Sequence, residues 1–142
     1  VLSERWACGD RVACRKILKS IISINAAIVF PLVIGGCIVN KYIMGLYGAS
    51  FMENGNAAVA AMLTAGVLAV QMPIGQMTAA TGKMWIEIGM NLSWAILFIA
   101  GTWVSLSDGA VGLLAARLIA YIMHTIWTTG FAYWLLRKPC SI

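Results

Sequence analysis

Hydrophobic residues run along this chain in four long blocks, at approximately 20–39, 57–80, 85–106 and 110–136, separated by short polar stretches. Each block is long enough to cross a hydrocarbon core, which takes about 20 helical residues. No acidic residue falls well inside any of them; Glu87 stands near the start of the third. Membrane β-strands alternate over short runs, and these blocks do not. A segment surrounded by lipid must satisfy its own backbone, so the pattern predicts an all-α, polytopic integral membrane protein with four transmembrane helices.

Composition narrows the picture further. Of the 142 residues, 61% are hydrophobic and 11% charged, against about 25% charged in an average globular protein. So few charges cannot coat a soluble domain, and a disordered chain would be polar and highly charged. The net charge of +5 reads first as topology. Arg5, Arg11, Arg15, Lys16, Lys19, Lys83, Arg137 and Lys138 fall on one side of the four blocks, eight of the ten Lys and Arg; Lys41 falls on the other, with Glu53 and Asp108. The positive-inside tendency then places both termini in the cytoplasm. Tyr42, Tyr47 and Trp103 near the outer boundary, and Trp85, Tyr133 and Trp134 near the inner one, suit the same frame. Nucleic acid is not an expected partner, because no basic and aromatic residues interleave on a soluble face.

Residues 1–19 read as a cytoplasmic basic segment. Gly9-Asp10 predicts a helix stop followed by an N-cap, since Gly admits a left-handed turn and Asp accepts from free N–H groups. Arg11, Arg15 and Lys19 then recur at i, i+4, i+8, with Lys16 beside them and Val12, Ile17, Leu18, Ile21 and Ile22 on the apolar side. Two readings fit this stripe. It lies on anionic headgroups before the chain enters the membrane, or it gathers the phosphates of a lipid-linked substrate. Cys8, Cys14 and Cys140 on the cytoplasmic side and Cys37 in a span lack metal-ligand spacing, so no metal site is expected and the thiols read as inert.

The order of short motifs carries a resemblance. Leu2-Ser3-Glu4, Gly9-Asp10, the basic helix and a first span with Pro31 near its middle are followed by Leu46-Tyr47-Gly48 and Phe51. A Gly82-Lys83 turn, Asn91-Leu92 and Gly109-Ala110-x-Gly112 complete the set. Across essentially the whole chain this resembles the C-terminal part of bacterial polysaccharide flippases, of the multidrug/oligosaccharidyl-lipid/polysaccharide exporter superfamily. The resemblance implies a transporter of twelve or more spans in two lobes, of which this chain matches about spans nine to twelve. The start at Val1 without Met or a signal peptide fits a fragment that lacks its N-terminal spans. The implied activity moves undecaprenyl-pyrophosphate-linked oligosaccharide (O-antigen and related repeat units) from the cytoplasmic to the outer leaflet of the bacterial inner membrane by alternating access. The implied partners are membrane lipids, the lipid-linked oligosaccharide, the missing N-terminal spans and the polysaccharide polymerase machinery. No cofactor is implied; H⁺ or Na⁺ coupling occurs in some relatives.

Polar residues inside the spans are the candidate substrate-binding groups. Arg117 lies seven residues beyond Ala110, about 10 Å into the last span, where an Arg is costly and usually faces a bundle interior or a wet cavity. Contact with substrate, snorkelling to the outer headgroups and structural pairing all fit it; the resembled family commonly has a small or hydroxyl residue there. Tyr121, His124 and Thr128 continue at i+4, i+7 and i+11, which places all four on one helix face. That face either lines a translocation path, with the single His carrying a titratable proton, or bonds neighbouring helices. Asn25, Gln71, Gln76 and Asn91 have the same two uses, sugar hydroxyls or interhelical bonds. Glu87 and Lys83, four apart, read as a solvated pair, with a cation-coupling carboxylate as the other reading of Glu87. Pro31 and Pro73, near the middles of the first two spans, are expected kinks, serving as hinges or as static packing.

No Walker A, HExxH or GxSxG sequence is present, so catalysis is not expected. The rival functions are an exporter of a peptidoglycan lipid precursor or a drug-like cation, and a small non-transporting membrane assembly subunit. A glycosyltransferase or polymerase fragment would need paired carboxylates, and Glu53 and Asp108 are isolated.

Overall fold

A computed structural model describes residues 2–52 and 55–137, and every regular element within them is helical. Glu53, Lys138 and Cys140 lie outside the described residues. The elements are α1 (Leu2–Ala7), α2 (Arg11–Leu46), α3 (Ala49–Met52), α4 (Gly55–Ala80), α5 (Met84–Val104) and α6 (Gly109–Arg137), with a 3₁₀ turn at Leu106–Asp108 leading into α6. Four of these helices, α2, α4, α5 and α6, are long and apolar enough to cross a membrane.

The local signals at the N-terminus act as their chemistry requires. Gly9 ends α1 with a φ of 76°, and the Asp10 carboxylate accepts from the backbone N–H of Ala13 at 2.9 Å, capping α2. The basic stripe does not form a separate helix on the surface. It is the first two turns and more of α2, which runs unbroken for 36 residues. At about 1.5 Å per residue such a helix is about 54 Å long, against a hydrocarbon core of about 30 Å. It is thus about 24 Å longer than such a core is thick. Pro31 sits within α2 on an exposed side and Pro73 is buried within α4; neither ends its helix.

The four long helices form an open row in the order α2, α4, α6, α5. Helix α4 packs along both α2 and α6, and α6 along both α4 and α5, while α2 with α6 and α4 with α5 meet at few points. Small residues set this spacing. The buried positions of α6 include Gly112, Ala116, Ala120, His124, Thr128, Ala132 and Leu136, one every four residues, the ridge along which helices approach closely. Gly112 is the tightest point: a Cβ there would stand 2.3 Å from the Ser105 carbonyl oxygen. Large apolar packing is concentrated at one end, where Cys14, Leu18, Met77 and Leu136 form a core covered by Leu2, Trp6 and Ile22. The start of α2 and the ends of α4 and α6 therefore lie together, so the described chain enters and leaves on the same side. The outer helices α2 and α5 bury almost nothing: α5 has no buried residue, and Leu32, Ile38, Ile99 and Trp103 stand exposed.

Candidate functional site

A four-residue step on a helix of about 100° per residue advances about 40° around the axis. The buried ridge of α6 therefore spirals, and the face carrying Arg117, Tyr121, His124 and Thr128 is covered along only half its length. His124 and Thr128 are buried against α4, whereas Arg117 is exposed and Tyr121 half-buried. Spacing alone could not separate the two halves, because it is blind to where the neighbouring helices lie.

The covered half borders a cavity of about 260 Å³ between α4, α5 and α6. Its polar lining is Gln71, Gln76 and Thr78 from α4, Glu87 and Asn91 from α5, and His124 and Thr128 from α6. Five of the eight substrate-binding candidates are thus brought to one place. Towards the other end of α6, Arg117 lines a second cavity of about 200 Å³ with Thr64. Leu68 borders both cavities, which follow one another along the groove between α4 and α6. From Arg117 to Thr128 this groove covers eleven residues of α6, a rise of about 16 Å.

At its centre the side-chain amide of Gln71 donates to Nδ1 of His124. A neutral imidazole that accepts at Nδ1 carries its proton on Nε2; among the described residues His124 Nε2 has no hydrogen-bond partner, and it is buried. Thr125 completes the cluster, its hydroxyl proton shared between the Tyr121 carbonyl at 2.7 Å and Gln71 Oε1 at 3.2 Å. Thr128 returns its hydroxyl to the His124 carbonyl at 2.7 Å, the usual way for a Thr to be satisfied inside a helix. The Gln71 amide and the His124 Nδ1 are thus fixed by protein partners, and the His124 Nε2 is a buried ring nitrogen with no hydrogen-bond partner among the described residues. Gln76 and Asn91 are exposed at its rim.

Glu87 departs from the solvated-pair reading. It forms no ion pair with Lys83; it is half-buried, lines the cavity, and its Oε1 lies so near Gly75 that a Cβ there would be 3.3 Å away. The absence of a side chain at Gly75 is what lets the carboxylate reach α4. The one carboxylate and the one histidine of the four long helices consequently share a cavity, which sequence separation gave no way to see.

The remaining candidates lie elsewhere. Asn25 donates to the Ala69 carbonyl at 3.2 Å and ties α2 to α4. Tyr121 packs its ring against Trp94, with centroids 5.0 Å apart, and the Arg117 guanidinium stands 5.8 Å from the Tyr121 ring. Among the described residues Arg117 has no carboxylate partner. Arg11 covers the Trp6 ring at 3.1 Å and Arg15 donates to the Leu136 carbonyl at 3.1 Å, so the protein itself engages both. Lys16 and Lys19 are exposed. A polar tie that the sequence reading missed is Asn40, buried, which donates to the Gly55 carbonyl at 2.9 Å across the short α2–α4 connection. Its position at the end of an apolar block was the available signal. No group of three or more metal-ligating side chains occurs among the described residues.

No protein-family model matches the chain, and neither a curated protein nor a solved structure matches it.

Proposed function

We propose that the chain is the C-terminal four-span part of a flippase for lipid-linked oligosaccharides, and that the α4–α6 groove is the part of its translocation path that this segment contributes. The observation that carries the reading is the groove itself. Neutral amides and hydroxyls from three helices, with one His and one Glu, line it within an otherwise apolar layer, the donor and acceptor mix that sugar hydroxyls require. Gln71, Gln76, Asn91, His124 and Thr128 meet the glycan, and Arg117 meets an anionic group at the far end. A cation gradient would act through Glu87 and His124. The open row, with α2 and α5 unpartnered on their outer faces, packs in this reading against further spans of the same polypeptide to complete two lobes. Both described ends are then cytoplasmic, in a bacterial inner membrane.

Deleting the whole gene tests the reading. Lipid-linked repeat units accumulate in the cytoplasmic leaflet and surface polysaccharide disappears, and the intact gene restores it. Normal surface polysaccharide in a strain without a redundant flippase overturns the proposal. Accumulation of a peptidoglycan precursor, or increased sensitivity to cationic drugs with normal polysaccharide, would replace it by the corresponding exporter.

A further inference from the structure

A separate depression of about 270 Å³ lies between the start of α2 and the end of α6. Arg15 and Lys19 line it from α2, Thr129 and Tyr133 from α6, and Ile22 and Ile74 give it apolar wall. Among the described residues no Asp or Glu borders it. The bond from Arg15 Nη2 to the Leu136 carbonyl holds the guanidinium in place, and among the described residues it is the hydrogen bond that this fork of five N–H donors makes. Arg137, whose guanidinium stands 4.3 Å from the Tyr133 ring, adds a third cation beside that ring. Arg15 and Lys19 immediately precede the apolar stretch of α2, so this depression sits at the level where headgroup gives way to hydrocarbon.

Cations above an apolar wall, with a Tyr at the boundary, match a phosphate attached to an acyl chain. We propose that this depression is a fixed site for one anionic glycerophospholipid of the adjoining leaflet. Arg15 and Lys19 hold the phosphate, Tyr133 sits at the ester level, and one acyl chain follows Ile22 and Ile74. The charge complementarity favours this occupant over a zwitterionic lipid. Lys16, exposed on the same stretch of α2 but outside the depression, attracts anionic lipid only diffusely. The site does not depend on the flippase reading and would serve a membrane subunit of any function.

The test is native mass spectrometry of the full chain, released from detergent with phosphatidylglycerol or with phosphatidylcholine of identical acyl chains. Phosphatidylglycerol is retained in preference. Lys19→Gln weakens that retention about fivefold, the equivalent of about 1 kcal/mol for one interfacial cation, and Arg15→Gln weakens it at least as much. Lys16→Gln changes it less than twofold. Because Arg15 also ties α2 to α6, Lys19→Gln is the deciding variant, with helicity checked by circular dichroism. Equal retention of the two lipids, or equal losses for Lys16→Gln and Lys19→Gln, would overturn the proposal. Displacement by inorganic phosphate, or retention of a polyprenyl phosphate with none of phosphatidylglycerol, would overturn it in favour of those ligands.

Discussion

Gln71 of α4 and His124 of α6, 53 positions apart, are joined by a buried hydrogen bond from the Gln71 amide to the imidazole Nδ1. This contact ties together the two central helices of the row, and it stands at the wall of the polar cavity. Stability and the groove's chemistry therefore depend on the same pair.

Removing one member strands the other. Gln71→Leu is expected to destabilise the α4–α6 packing by about 0.6–1.7 kcal/mol, the range for interhelical polar contacts in membranes. Adding His124→Leu should recover part of that loss, because no buried polar atom is then left unpaired. A double-mutant cycle on unfolding in mixed micelles measures it; strictly additive losses would contradict the coupling.

At Gly112 the constraint is steric. Gly112→Ala places a Cβ 2.3 Å from the Ser105 carbonyl oxygen and 2.9 Å from the Asp108 Cβ, so the turn between α5 and α6 must open. A loss of about 1–3 kcal/mol is expected, as for overpacking in a tight core. Gly35→Ala and Gly130→Ala meet nothing within 4 Å and should be neutral or slightly stabilising. Thermal unfolding of the three variants side by side checks the contrast.

Asp10→Ala should cost about 1 kcal/mol at the start of α2 and speed amide exchange at Ala13, whereas Asp10→Asn should retain most of the cap. Exchange monitored by mass spectrometry on peptides covering residues 10–20 reads this directly. Unchanged exchange in Asp10→Ala would show that the α1–α2 packing, not the cap, holds that end.

Burial pushes the Cys14 thiol up, with Asp10 acting in the same direction and Arg11 and Arg5 against it. Cys14 should therefore react with maleimide far more slowly than the exposed Cys8 near neutral pH, where the thiolate is the reactive form. The folded state favours the neutral thiol. Its contribution to stability is complete below the ordinary thiol range and falls away as pH rises through that range to the raised folded value. A variant retaining only Cys14 tests both effects; Cys14→Ser should flatten the alkaline part of its stability profile.

Accessibility separates the groove from the apolar surface. In membranes, Gln76→Cys and Asn91→Cys should label with a charged, water-borne thiol reagent. Ile99→Cys, exposed on α5 away from either cavity, should not. Equal labelling at all three would mean that the layer is not embedded as read; no labelling at Gln76 or Asn91 would mean that the groove is dry.

What the sequence determined by itself is whatever depends on local composition. Runs of apolar residues set the four long helices to within a few positions, except for α2, which begins nine residues before its apolar block and ends seven after it because nothing between Arg11 and Ser20 or between Asn40 and Leu46 breaks a helix. Gly9 and Asp10 announced the first cap for the same local reason. Helical spacing also placed Arg117, Tyr121, His124 and Thr128 on one face. Only the tertiary structure decided which half of that face is covered, because covering depends on where α4 and α5 cross a ridge that turns about 40° with every four residues. It also decided that Glu87 faces α4 across the bare Gly75 backbone, that Asn25 is a clamp, and that Arg15 reaches the end of α6. Those pairings join residues far apart in the chain, and periodicity along one helix contains no information about the helix beside it.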